Sequence, residues 1–439
     1  MALSAPVKTP LNVRFLFLNK SPTPACLRTG WRRIKQRKTM SGIHQETRIQ
    51  SAKVPAYWGG VLAMTLCVFA LVASEFMPVS LLTPVSRDLS VSEGLAGQGI
   101  AISGTLAVLT SLSISRLASG INRKALLLGL TILMAISGVI IAIAPDYLTY
   151  MAGRALIGVV IGGFWSLSAA TAIRLVPRHQ VPRALAVFNS GNALATVVAA
   201  PLGSWLGGVI GWRGAFFCLV PVAIIAFIWQ WVSLPTMPPQ PKNTRQSGLF
   251  RLLRQPLVLT GMAACGIFFM GQFALFTYVR PFLETVTRVG VSTLSLILLI
   301  IGVAGFIGTM LIGGALRVGF YRTLVAIPLL MAAVAVALTA FGHSLWLVAA
   351  LLGGWGLIAT AAPVGWWTWV ARTLPDNAEA GGGLMVAVVQ LSIALGSTLG
   401  GLAFDHSGWR SAFILSAGLL LLAALLAALT SRHDQHPDL

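Results

Sequence analysis

Charge is scarce in this chain. Asp, Glu, Lys and Arg make up 10% of its 439 residues, against roughly 25% in soluble domains. A fold with so few charges could not cover its surface in water. Acids are rarer still, 11 against 31 Lys and Arg. The four cysteines are Cys26, Cys67, Cys218 and Cys265. Three fall in apolar runs and none has metal-ligand spacing, so they read as small buried hydrophobes rather than as a disulfide framework or metal site. The chain also lacks HExxH, GxSxG and paired aspartates in facing apolar runs, and His343 stands alone near a span end. An intramembrane enzyme therefore has no visible machinery. GxxxxGK[ST] is missing too, so ATP is not the evident energy source. No cofactor or metal is expected.

Apolar residues fill the space that charge leaves, at 56% with a mean hydropathy of +0.84. Runs long enough to cross a bilayer, which takes ~20 helical residues, recur about twelve times. The expected spans are 57–81, 95–115, 125–144, 147–171, 183–208, 213–234, 256–279, 292–314, 323–342, 345–370, 381–403 and 409–430. The fold class is an all-α polytopic membrane protein.

The net charge of +20 would suggest nucleic acid in a soluble chain. Here about half of the excess precedes Val54, and most of the rest sits in alternate loops. Arg116, Arg123, Lys124, Arg174, Arg178, Arg183, Lys242, Arg245, Arg251, Arg254, Arg317, Arg322 and Arg372 fall on one side. Asp88, Glu93, Asp146, Glu284 and Asp405 fall on the other. By the positive-inside rule both termini are expected to be cytoplasmic. Nucleic acid is not an expected partner; lipid is. The basic segment 1–54 is expected to be disordered, with Met40 as an alternative start.

The Pro-rich stretch within 235–255 divides the chain into an expected first bundle, 55–234, and a second, 256–430, followed by a polar tail, 431–439. Internal repetition supports the cut: `GWRGAF` at 211–216 recurs as `GWRSAF` at 408–413, and `RLVP` at 174–177 recurs as `RTLP` at 372–375. Duplicated bundles are the architecture of secondary transporters that bind substrate between halves near the membrane midplane.

Within the first run, `YWGGVLAMTLCVFALVASEFMPVSLLTP`, one acid stands deep among apolar residues: Glu75, with Pro78 three residues later. An acid in a helix centre costs ~2.5–3.5 kcal/mol on insertion scales measured for Asp, so it usually faces a cavity or a partner. Glu75 is the candidate proton carrier, against the alternative that it merely reaches headgroups. Arg154, Gly158, Gly162 and Ser166 share one face of the fourth run; the glycines suit close helix packing, and Arg154 either snorkels or pairs inside the bundle. Asn189, Asn192 and Thr196 share a face of the fifth run, ahead of Pro201 and Gly203, a pliable seam.

In `FFMGQFALFTYVRP`, Gln272 and Phe276 are i, i+4 neighbours and suit a flat polar heterocycle. Arg280 reads as a lipid-interface anchor. In `PVGWWTWVAR`, Trp366 is a candidate cavity residue, and Trp369 reads as interfacial belt. Gln390 is a lone amide at membrane depth, a site residue or helix–helix glue.

These stretches, with `SEGLAGQ`, `GRALIGVVIGGFW` and `APLGSWLG`, together resemble the major facilitator superfamily, and within it the drug:proton antiporter branch and its purine ribonucleoside exporters. The resemblance covers nearly everything from Trp58 onward. It implies two six-helix bundles, alternating access, and proton-coupled export of purine ribonucleosides such as inosine or guanosine across a bacterial inner membrane by a monomer. It also implies a proton-coupling role for Arg154 with Gly158 and Gly162, and makes Ala200–Pro201 with Gly203 a variant of the antiporters' fifth-span signature. Ser119 stands where the family usually has aspartate, which argues against a charge-relay gate in that loop. Export of sugars or drugs, or a sensor that moves nothing, are the alternative readings.

Overall fold

A computed structural model describes residues 56–117, 120–237, 253–375 and 378–435. The basic segment 1–54 with Met40, Ser119, most of the 235–255 stretch and the last residues of the tail lie outside the described residues.

Among the described residues, twelve helices are long and apolar enough to cross a membrane. They are α1 (Trp58–Asp88), α2 (Glu93–Ile114), α3 (Arg123–Ala142), α4 (Tyr147–Arg174), α5 (Val181–Val209), α6 (Gly211–Ser233), α7 (Pro256–Thr287), α8 (Val291–Val318), α9 (Phe320–Phe341), α10 (Leu345–Thr373), α11 (Gly381–Ser407) and α12 (Trp409–Asp434). Each overlaps one expected span. The largest differences are α7, expected to stop near residue 279, which continues to Thr287, and α1, expected to stop near residue 81, which runs through Pro78 and Pro84 to Asp88. That extension places Glu75 well inside the helix.

The helices form two six-helix bundles with matching neighbours. In the first, α1 packs on α5 and α6, α2 on α4, and α3 on α4 and α6; in the second, α7 packs on α11 and α12, α8 on α10, and α9 on α10 and α12. One core is built from Val61 to Met237, and another mainly from Val258 to Ala427. The bundles meet through α2 against α11 and α5 against α8. Large apolar side chains such as Leu109, Ile225, Leu311 and Leu425 remain exposed on outer faces, as lipid-facing helices require.

The repeated GWR motif has one structural cause in both halves. Gly211 and Gly408 have φ of +77° and +79°, in the left-handed region that glycine enters at least cost. Each turns the chain into the next span. Trp212 then donates to Asp88 at 3.2 Å and Arg213 pairs with the same carboxylate while stacking on Trp212 at 4.3 Å. In the second copy Trp409 packs on Phe282 and Phe413, with Arg410 over its ring.

The α4 glycines also act through contact. A Cβ on Gly158 would strike the Ser103 backbone of α2, and one on Gly162 the Ala107 backbone. Two backbones cannot move aside as a flexible side chain can. Gly162→Val is therefore expected to cost on the order of 1–3 kcal/mol or more by overpacking, read as a lower thermal midpoint in detergent. Gly313→Ala, whose Cβ meets open space, should leave the midpoint unchanged.

Candidate functional site

Pro78 and Pro84 shape α1 by what they omit. A helical carbonyl accepts from the N–H four residues on, and proline has none. Pro78 therefore frees the carbonyl of Ser74, and Pro84 that of Ser80. Each carbonyl receives a buried arginine instead. Arg154 of α4 donates Nη1–H to Ser74 O at 2.8 Å, Nε–H to Gly99 O at 2.9 Å and Nη2–H to Ser103 Oγ at 3.1 Å. Arg280 of α7 donates Nη1–H to Ser80 O and Nε–H to Glu284 Oε1 at 2.7 Å.

Arg154 thus belongs inside its bundle and does not snorkel. It is fully buried and, through its Ser74 contact, one residue from Glu75 along α1. Arg280, expected at the lipid interface, is also buried, as is Trp369. The correction has a packing cause. Arg280 finds an acceptor on the other bundle, while Trp369 fills the space left by the missing side chain of Gly261.

Between the bundles lies a cavity of about 280 Å³, close to the lower end of the ~300–1,000 Å³ typical of small-molecule sites. Helices from both halves line it: α1 gives Glu75 and Phe76; α4, Trp165; α5, Asn192 and Thr196; α7, Phe269, Gln272, Phe273 and Phe276; α10, Trp355, Thr360, Trp366 and Trp367; α11, Gln390. Among its lining residues Glu75 is the single titratable side chain. Gln390 donates Nε2–H to Glu75 Oε1 at 3.0 Å, a bond from the second bundle to the first.

Of the residues singled out from sequence, the cavity thus brings together Glu75, Asn192, Gln272, Phe276, Trp366 and Gln390. It leaves out Asn189, which is exposed and donates to Leu185 O at 3.0 Å within its own helix. Pro78, Gly158, Gly162, Pro201 and Gly203 are buried in the first bundle's packing. Pro201 lies inside α5, which continues to Val209, and Gly203 sits against Met77 and Ser80 of α1.

Sequence reasoning missed Phe76 and Phe273, whose rings stack at a centroid distance of 6.2 Å. The repeat offset held a signal for them. `EFMPVSLLTP` at 75–84 and `QFALFTYVRP` at 272–281 stand at the same spacing as the GWR copies, aligning Glu75 with Gln272 and Phe76 with Phe273. Gln272 Oε1 and Trp355 Nε1 in the cavity wall have no hydrogen-bond partner, which leaves an acceptor and a donor in the wall of an otherwise aromatic site.

The arginine–proline link can be tested by a double-mutant cycle. Arg154→Leu leaves Ser74 O without a donor, and Pro78→Ala restores an N–H at the position that would serve it. The two substitutions should couple by about 0.5–1.5 kcal/mol, the net worth of one hydrogen bond, measured as thermal stability in detergent. Equal losses from Arg154→Leu in both backgrounds would dissolve the link.

Comparison with known proteins agrees with this fold. The family model described as Major Facilitator Superfamily matches residues 64–385 and 309–438. The chain is 62% identical over 392 residues, 88% of this chain and 97% of the relative, to a Pseudomonas aeruginosa protein named transcription regulatory protein OpdE. It is 40% identical over 371 residues, 84% of this chain and 93% of the relative, to the purine ribonucleoside efflux pump NepI of Salmonella typhimurium. Among solved structures it is similar to a D-xylose–proton symporter, with a TM-score of 0.69 and 17% identity over 84% of this chain and 97% of that one. The human organic anion transporter MFSD10 (TETRAN) gives a TM-score of 0.60 and 16% identity over 84% and 98%. At such identities these two structures speak for the fold alone. With its twelve spans, two bundles and intervening cavity, this membrane protein belongs to the major facilitator superfamily.

Proposed function

We propose that this protein is a proton-coupled antiporter that exports purine ribonucleosides, inosine and guanosine among them, across a bacterial inner membrane, with both termini cytoplasmic. The observation that carries the reading is Glu75: one carboxyl in a cavity of aromatics and amides, bonded to the opposite bundle through Gln390. Aromatic faces suit a flat base, and the amides of Asn192, Gln272 and Gln390 offer donors and acceptors for its edge and for ribose hydroxyls. The 40% identity to a purine ribonucleoside efflux pump supports the substrate. The excess of Lys and Arg in alternate loops supports the orientation.

Antiport follows from the chemistry of one carboxyl. Ionised Glu75 is acceptor-only, while the protonated group carries an O–H donor and loses its charge. A nucleoside whose hydroxyl or N–H donates to the carboxylate competes with the proton for the same oxygens. The site then holds one or the other, which is the requirement for exchange. One charge crossing 100 mV supplies ~2.3 kcal/mol, roughly a fifty-fold substrate gradient when one neutral nucleoside leaves per proton. Arg154 would keep the segment around Ser74 and Glu75 in place during the cycle.

A second reading has an observation of its own. The relative that is 62% identical is named a transcription regulatory protein, and a non-transporting sensor could use the same cavity to bind ligand without moving it. Proteoliposomes with an imposed pH gradient separate the two. Labelled inosine should be accumulated by wild type, with sugars and lipophilic cations failing to compete. Glu75→Gln should bind inosine and lose gradient-driven uptake at least ten-fold. Binding without uptake in wild type would favour the sensor, and neither binding nor uptake in folded protein would remove the nucleoside assignment.

A further inference from the structure

The internal repeat gives every group around Glu75 a counterpart in the second bundle. At the spacing that relates the two GWR motifs, Ser74 falls on Gly271, Glu75 on Gln272, Phe76 on Phe273, Met77 on Ala274 and Gly203 on Gly400. The packing keeps that register. Gly203 of α5 lies against Met77 of α1, and Gly400 of α11 lies against the backbone of Ala274 in α7. Phe76 and Phe273 stack on each other, and Glu75 and Gln272 both line the cavity. The two side chains therefore occupy equivalent places on facing bundles.

Their surroundings differ in charge. The carbonyl just before the acid, Ser74 O, is served by the cation Arg154. The carbonyl just before the amide, Gly271 O, accepts from a neutral hydroxyl, Ser416 Oγ of α12, at 2.6 Å. At the spacing of RLVP and RTLP, the place of Arg154 falls on Leu352, which is buried in the second core. Acid and cation occur together in one half, and amide and neutral donor in the other. A glutamine side chain has the shape of a glutamic acid and, like the protonated acid, offers both a donor and an acceptor. It has no proton to give up near neutral pH. Gln272 thus resembles a carboxyl fixed in its protonated form.

We propose that position 272 is the second bundle's proton site, held out of use by an amide, and that Gln272 thereby fixes the exchange at one proton per nucleoside. The inference rests on the transport reading above and adds to it the residue that sets the stoichiometry. Its consequence is that the proton site can be moved or doubled by exchanging one isosteric side chain. Gln272→Glu gives the cavity two acids, and Glu75→Gln/Gln272→Glu transfers the single acid to the other bundle.

Proteoliposomes held at zero membrane potential, with the interior about one pH unit more acid, measure this directly. At equilibrium the inosine ratio equals the proton ratio raised to the number of protons exchanged, whatever the affinity or rate. Wild type and the swapped double variant should each reach about ten-fold accumulation, and Gln272→Glu about a hundred-fold. A folded swap variant that accumulates no more than Glu75→Gln, or Gln272→Glu that stays at the wild-type ratio, would overturn the proposal. Accumulation by wild type separates this failure from failure of the transport reading. A second measurement needs no substrate. Dicyclohexylcarbodiimide, which adds to protonated carboxyls in apolar surroundings, should mark Glu75 in wild type, position 272 in the swap variant and both positions in Gln272→Glu, as located by peptide mass spectrometry. Labelling at Glu75 with none at position 272 in either folded variant would overturn the equivalence of the two sites.

Discussion

Two carbonyls that α1 cannot satisfy by itself organise this molecule. Pro78 and Pro84 remove the donors that Ser74 and Ser80 would have used, and a bare carbonyl in a membrane interior costs several kcal/mol. The chain fills both vacancies with arginine. One comes from the same bundle and fixes the segment that carries Glu75. The other crosses from the opposite bundle. A single helix therefore holds the acid, anchors it, and provides a docking point for the other half. The arginines in turn have their charge dispersed over several acceptors, which is what permits guanidinium groups at this depth.

The cavity expresses a duplication whose acid is not repeated. Matching neighbours, matching GWR turns and the aligned pairs Glu75–Phe76 and Gln272–Phe273 describe two copies of one bundle facing each other. The phenylalanines still stack across the boundary. The acid has no counterpart acid: its partner position holds the amide Gln272. This asymmetry leaves the site with one titratable group, which suits exchange of a neutral solute for a single proton. It also leaves Gln272 Oε1 unpaired, a feature an occupied site would relieve.

Much of this was legible in the sequence, because membrane spans depend on local composition. Twelve runs, the division in the middle and the close packing of Gly158 and Gly162 all follow from residue type and spacing. Glu75 stood out because an isolated acid in lipid needs a reason. What the sequence could not convey was direction. Asn189 and Asn192 look alike on a helical wheel, yet one faces outward and one faces the cavity, a choice made by how α5 packs on α1 and α8. Arg280 and Trp369 carry the composition of interfacial anchors and are buried instead, since their acceptor and their packing space lie on residues far away in the chain. α1 runs past its expected end for a related reason: a helix survives proline where another element supplies the missing partner.

The most direct test of this account concerns Ser80 and Arg280. Spin labels at Glu93 and His406 report the separation of α2 from α11 at the end of the helices that carries Asp88 and Asp405. Wild type should give one short-distance population, and Arg280→Leu/Glu284→Gln, which removes the donor without stranding a carboxylate, should add a longer one. Indistinguishable distance distributions in the two folded proteins would contradict the claim that the proline-freed carbonyl of α1 is where the second bundle holds on.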